Sequence, residues 1–287
     1  MPLSLLTLDF SAMHRFLGFG LALVLALLCL HAGAADPPAK KKLLLIGQGP
    51  DGHPATTHEY YAGLKVLEQT LAPLSDQITI QQVRADGEWS EGPKLLEDAD
   101  GVVLYLAEGA KWVHGDPRRL EAFARLASRG GGLVALHWAI GTKDARYIDG
   151  FQKLLGGCHG GEDRKYKFLE TEVHVVAAEH PITQGLRDFT IKDEFYYQLK
   201  FIDDARHLTP LLSAKIDGEL YPVCWAWERS AGGRSFGFSA LHYHENWRRE
   251  EYRRLVGQGV LWTLHLKPPT EGWPGVVADE TYELPKR

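Results

Sequence analysis

Cysteine and methionine are scarce, three and two among 287 residues. Cys29 falls in an apolar N-terminal run, which leaves Cys158 and Cys224 for the rest of the chain. Two thiols do not make a disulfide framework, and neither sits in a Cys-x-x-Cys or Cys-His zinc spacing, so no thiol chemistry is expected; whether the two pair stays open. Positive charge is not in excess either. Lys+Arg 32 against Asp+Glu 37 gives a net charge of −5, with no basic stripe, which argues against a nucleic-acid partner. Internal repeats, low-complexity tracts and HExxH spacings are also missing. At 45% hydrophobic and 24% charged residues the composition is that of an ordinary globular protein.

One long apolar run is present. Phe16 to Leu30 is uninterrupted, and the small residues of HAGAA follow it. This pattern predicts a secretory signal peptide over residues 1–35, with Met13-His14-Arg15 as its basic start and cleavage after Ala34 or Ala35. A lipoprotein cut at Cys29 is disfavoured, because Leu28 precedes it. Export to a periplasmic or extracellular location is therefore expected. The alternative is an uncleaved anchor, since Phe16–Ala35 is just long enough to span a bilayer.

Residues 36–287 are expected to form one domain with a short Pro-rich C-terminal tail. Leu43–Gly47, Gly101–Leu106 and Gly132–Leu136 are short apolar runs of the kind that make buried parallel strands. Between them, His58–Leu71 places Tyr61, Leu64, Leu67 and Leu71 on one helical face, with Thr56 or Thr57 as its cap, and Pro117 opens a second helix. Gln77–Val83 alternates as a strand. Strands alternating with helices predict an α/β fold, a mainly parallel sheet with helices on both faces. Later, Glu172–Val176 reads as a strand, DEFYYQL as an exposed polar-aromatic segment, Asp217-Gly218 as a hairpin turn, and Arg234–Leu241 as a strand before a closing helix from Glu250.

Thirteen histidines are the compositional excess. Ligands of parallel sheets bind beyond the carboxyl ends of the strands. His53 and His58 follow the first strand, Glu108 the third, His137 ends the fourth, and His242 ends the late strand. His244, two residues beyond His242, is expected on the same side of an extended backbone, with Tyr243 opposite. His114, His174, His207 and His265 read as structural. Three imidazoles and a carboxylate suit a divalent metal, zinc among the candidates. Glu194 or His242 acting as a general base needs none. Trp112, Trp138, Tyr196, Tyr243 and Trp247 are candidates for stacking on a sugar ring.

The ordered set HEY, GGGLVALHW, LLGGCHGGE, HPITQGL, DEFYY, GRSFGFSALHYHENW and GVLWTL resembles the trehalose-utilisation (ThuA-like) family over about Lys42 to Leu266. The resemblance implies a flavodoxin-like sheet similar to the class I glutamine amidotransferases. The nucleophilic cysteine of an amidotransferase would fall at His137, and its late His-x-Glu matches His242-Tyr243-His244, so glutaminase activity is not expected. Carried over by position, the family's functional residues match His58, His137, Asp193, Glu194, Tyr196 and His242. His180 also matches, in a turn that suits a structural hydrogen bond. The sequence departs from the family at Leu241, where glycine is usual, and at His244, an extra imidazole.

Two functions of different class follow as expectations. One is an exported enzyme of carbohydrate catabolism acting on a glycoside or keto-sugar by hydrolysis, elimination or isomerisation. In it His58, His137 and His242 hold the metal, Glu194, His242 and Tyr196 are catalytic, and Trp138, Asp193, His159, Tyr243 and His244 contact substrate. The other is a non-catalytic sugar-binding or partner module. The expected partner is a small carbohydrate, and a homo-oligomer stays open.

Overall fold

Apolar runs in the first half become strands buried along their length. The computed structural model describes residues 39–86, 89, 91–204, 206–230, 232–268 and 276–284; the segment read as a signal peptide lies outside them. Among the described residues no helix is long and apolar enough to cross a membrane. The chain runs β1 (Lys41–Gly47), α1 (Tyr60–Leu71), β2 (Ile78–Arg84), α2 (Gly92–Asp98), β3 (Gly101–Tyr105), α3 (Gly109–His114), α4 (Pro117–Ser128) and β4 (Gly132–Leu136). There follow β5 (Gly141–Thr142), α5 (Ile148–Leu155), β6 (Gly157–Gly160), β7 (Lys165–Val175), β8 (Phe189–Tyr197) and β9 (Lys200–Phe201). The last elements are β10 (Leu208–Ile216), β11 (Glu219–Glu228), β12 (Arg234–Phe238) and α6 (Glu250–Thr263).

Nine strands form one sheet in the order β2-β1-β3-β4-β12-β11-β10-β7-β8. The first five are parallel; β12, β11, β10, β7 and β8 pair antiparallel in turn. The expected mainly parallel sheet is thus a mixed one. The physical reason is connection length: a parallel crossover takes a dozen or more residues, usually helical. Between β10 and β11 only Asp217 and Gly218 intervene, with φ of +53° and +91°, as a two-residue hairpin turn requires.

Alternation along the parallel strands feeds two cores. Leu43, Leu45, Val103, Val134 and Leu136 pack with Leu64 and Leu67 of α1 and Leu255 and Val260 of α6. Leu44, Ile46, Val102, Leu104 and Leu133 pack on the other face with Leu96, Phe123, Phe151 and Leu154 of α2, α4 and α5. Helices therefore cover both faces of the parallel half, as expected of such sheets. Asp116 caps α4, accepting from the Arg118 amide, with Pro117 in its first turn.

Three local expectations are corrected. The first helix starts at Tyr60, and neither Thr56 nor Thr57 caps it: the Thr57 hydroxyl donates to the Pro54 carbonyl, and Thr56 N–H donates to Glu59 Oε1. That leaves His58 in the preceding loop, at φ +52°. The DEFYY segment is not exposed, since Asp193 to Tyr196 are buried within β8. The strand read at Glu172–Val176 begins at Lys165, seven residues earlier. Cys158 and Cys224 are both buried and free, and burial pushes the Cys158 thiol up to about 12.

Candidate functional site

The site lies beyond the carboxyl ends of β1 and β4, where the antiparallel half of the sheet curls back. Glu194 sits on β8, five places from β4 in the sheet order. A flat sheet would separate those strands by about 24 Å at ~4.8 Å per step. Yet Glu194 Oε2 is 3.3 Å from His137 Nε2, so twist and coiling bring the far edge over the crevice.

Each imidazole arrives on constrained backbone. His137 follows β4 directly at φ +50°, in a short turn that packs against α3 so closely that a Cβ on Gly109 would meet the Ala139 carbonyl oxygen at 2.1 Å. Left-handed backbone at His58, His137 and Leu241 (φ +81°) is of the kind that a surrounding structure must impose. His58 N–H donates to the His242 carbonyl (3.0 Å), tying the first loop to the last. At Leu241 the backbone is left-handed, a conformation glycine adopts without cost, while the leucine side chain is buried in the core.

Four donor atoms converge. His58 Nε2 lies 3.0 Å from His242 Nδ1 and 3.1 Å from His137 Nε2. His242 Nδ1 lies 3.4 Å from His137 Nε2 and 2.9 Å from Glu194 Oε2. An ion bound tetrahedrally at ~2.0–2.1 Å would space its ligands about 3.3–3.4 Å apart, so these donors, 2.9–3.4 Å apart, would have to spread by a few tenths of an ångström to hold one. The partners behind them fix the tautomers. His58 Nδ1 faces Asp51 Oδ2 (2.9 Å), and His137 Nδ1 faces the Ser239 carbonyl (2.9 Å). Both acceptors demand N–H at Nδ1, which leaves both Nε2 atoms as lone pairs pointing at each other.

Electrostatics reinforce this arrangement. Burial, only partly offset by Asp51, lowers His58 to about 4 and so disfavours an imidazolium that could bridge the two lone pairs. Burial opposes ionisation of Glu194, and a hydrogen bond donated by the neighbouring His242 Nδ1 at 2.9 Å favours it. Burial likewise works against Asp51, whose contacts with His58, Tyr60 and His53 hold it below the usual carboxylate range.

His58, His242 and Glu194 floor an open cleft of about 260 Å³, with His137 buried behind them. Tyr196, buried, places its hydroxyl 3.1 Å from His137 Nε2 and stacks between His137 (4.7 Å) and His159 (4.2 Å). Burial raises Tyr196 well above the ordinary phenol and lowers His159 to about 3. Trp138 lines the wall, edge-on to both His159 and Tyr196.

Other sequence candidates lie elsewhere. Asp193 does not reach the cleft; it is fully buried and accepts from the amides of Leu241 (2.9 Å), His242 (3.0 Å) and Glu194 (2.8 Å) and from the Tyr252 hydroxyl (3.1 Å). It positions the His242 loop. Tyr243 is half-buried, edge-on to His242 and outside the cleft lining. His244 turns away, its Nε2 3.1 Å from the Tyr282 carbonyl, because the backbone enters a short helix there instead of staying extended. Trp247 is core, and Trp112 packs on Trp89 and Phe123. Glu108 accepts from the Lys143 amide (2.8 Å) and the Thr142 hydroxyl (3.3 Å) and takes no part in the cluster. His53 stacks on His58 (3.7 Å) with Nδ1 on Asp51 (2.6 Å).

Sequence reasoning missed Asp51, Lys143, Arg164, Tyr166 and Phe168. Asp51 sits in a Gly/Pro-rich loop with no spacing signal. The period-two alternation Lys165-Tyr166-Lys167-Phe168 was available, and it puts both aromatics on one strand face, half-exposed at the mouth of the cleft.

Fold and cluster together define an α/β protein with a histidine-carboxylate cleft at the carboxyl edge of its parallel strands. The model of the ThuA family, described as trehalose utilisation, matches residues 52–263, and the chain belongs to that family. Similar solved structures include a ThuA-like protein from Bacteroides uniformis, at 18% identity and a TM-score of 0.59, covering 81% of this chain and 94% of that one. A ThuA-like protein from Parabacteroides merdae is similar at 16% identity and a TM-score of 0.60, covering 86% and 100%. At these identities the likeness concerns the fold. No match was found among curated proteins.

Proposed function

We propose that the chain is an exported, metal-assisted enzyme of carbohydrate catabolism acting on a glycoside or keto-sugar. One observation carries the reading: the lone pairs of His58 Nε2 and His137 Nε2 face each other at 3.1 Å beside an ionised carboxylate, a contact that calls for a cation. His58, His137, His242 and Glu194 would hold it. Such an ion acidifies a bound water or polarises a carbonyl. The strand order β2-β1-β3-β4-β12 of the parallel half supports a flavodoxin-like sheet, on which ligands sit at this edge.

With Glu194 Oε2 inside the donor set, proton handling moves to the residues beside it. Burial keeps the Tyr196 hydroxyl protonated, as suits a proton donor to a sugar oxygen. His159, which burial keeps neutral, lines the same cleft and offers a hydrogen-bonding imidazole to a sugar hydroxyl. Asp51 and the Ser239 carbonyl orient the imidazoles, and Trp138 excludes water from the wall.

Turnover of 3-keto-glycosides by wild type, Tyr196→Phe and Glu194→Gln tests the reading. Loss of at least about a hundredfold is expected in both variants, through the proton donor in Tyr196→Phe and through the metal-ligand set in Glu194→Gln. Glycan binding without any turnover by the wild type would instead make the cleft a recognition module.

A further inference from the structure

Two cations in the cleft wall are unused by this chemistry. Lys143 follows β5 and Arg164 precedes β7, and both line the cleft beside Trp138 and His159. Pairing of β5 with β6 and the bond from Gly161 N–H to the Thr142 carbonyl (3.2 Å) bring their two loops together. The backbone of Lys143 is pinned by Glu108, and one Arg164 nitrogen donates to the Gly161 carbonyl (3.1 Å). Among the described residues no carboxylate is paired with either side chain. Among the described residues the only carboxylate in the lining is Glu194, which the imidazoles already engage.

Charge in the cleft therefore runs opposite to that of the molecule. The chain carries −5 overall, whereas the cleft lining carries Lys143 and Arg164 against Glu194, a formal +1 before any metal is bound. Unpaired cations in a concave site are ready partners for an oxyanion, and guanidinium matches its geometry. Tyr166 and Phe168 line the same cleft, and Phe168 is edge-on to His242 at 5.0 Å. They offer apolar faces to a sugar ring bound next to the metal-ligand cluster. At about 260 Å³ the cleft is near the lower limit of ligand pockets, roughly 300 Å³, which is room for about one sugar unit.

We infer that the cleft selects an anionic sugar, its ring against Tyr166 and Phe168 and its oxyanion, a carboxylate or a phosphate ester, held by Lys143 and Arg164. The inference rests on the sugar reading above and adds the substrate class.

Calorimetric titration of the purified protein with methyl glucuronide, glucose 6-phosphate and methyl glucoside tests it without recourse to turnover. The wild type is expected to bind at least one anionic sugar about ten- to a hundredfold more tightly than the neutral glucoside, with the two anions separating carboxylate from phosphate. In Lys143→Gln/Arg164→Gln that preference should fall to within about threefold of unity. Single Arg164→Lys, which keeps the charge, should retain part of it. Equal affinity for charged and neutral sugars in the wild type, or a preference that survives the double variant, overturns the inference and leaves the sugar reading standing. Absence of binding by all three sugars overturns both.

Discussion

The two halves of the sheet build the site in different ways. The parallel half, β2-β1-β3-β4-β12, is covered by helices on both faces and contributes His58 and His137 from loops at the strand ends. The antiparallel half, β11-β10-β7-β8, contributes Glu194, Tyr196 and the aromatic rim from within strands. The first is a frame that would exist without a ligand. The second is bent over the first so that a strand from the far edge of the sheet delivers its carboxylate. The His242 loop joins them, held by a buried aspartate on β8. The difference teaches that the cluster depends on how the halves are held together as much as on its four side chains.

Breaking the junction should have the largest effect. Asp193→Ala strands three backbone amides and the Tyr252 hydroxyl inside the protein, and about 3–5 kcal/mol of stability should be lost in urea unfolding. Asp193→Asn, which keeps one acceptor, should lose less. A loss below about 0.5 kcal/mol for Asp193→Ala would mean that the halves are joined elsewhere.

Leu241→Gly sets two effects against each other. Relief of left-handed backbone is worth about 1–2 kcal/mol, and removal of a fully buried leucine costs about 2–5 kcal/mol. Net destabilisation of about 1–3 kcal/mol is expected. Net stabilisation would show that strain, not packing, dominates at the junction.

Acid should weaken the cleft wall at β6, which carries His159. His159 is lowered by burial from 6.5 to about 3, so the unfolded chain takes up a proton that the folded one refuses. The contribution is complete above about pH 6.5 and is lost as pH falls toward about 3. His159→Phe should flatten the slope of stability against pH in that window, and an unchanged slope would assign acid sensitivity elsewhere. Smallest of all, Tyr166→Ala and Phe168→Ala should each move stability by less than about 0.5 kcal/mol while weakening sugar binding. Equal losses of stability would make the rim part of the core.

The same division governs what the sequence discloses. Apolar runs such as Leu43–Gly47 and Gly132–Leu136 announce buried strands because they are buried on both faces, and the crevice rule then places His58, His137 and His242 at one edge. The second half follows no such rule. DEFYY looks exposed because its polar residues are buried against each other's partners, Asp193 on amides and Glu194 on imidazoles, which hydropathy cannot register. His244 was expected beside His242 on the assumption of an extended backbone, and a short helix breaks that assumption. Asp51 was invisible because its role is set by folding distance: it orients His58 from a loop without periodicity. The thirteen histidines divide accordingly, with His58, His137 and His242 in the cluster and His53 and His159 beside it in the cleft.

Metal analysis of the purified, dialysed protein by mass spectrometry tests the central claim most directly, with His137→Ala and His242→Ala alongside. The account predicts about one divalent ion per chain in the wild type and at least a tenfold lower content in either variant. A wild type without metal, or variants that keep the full content, would contradict it.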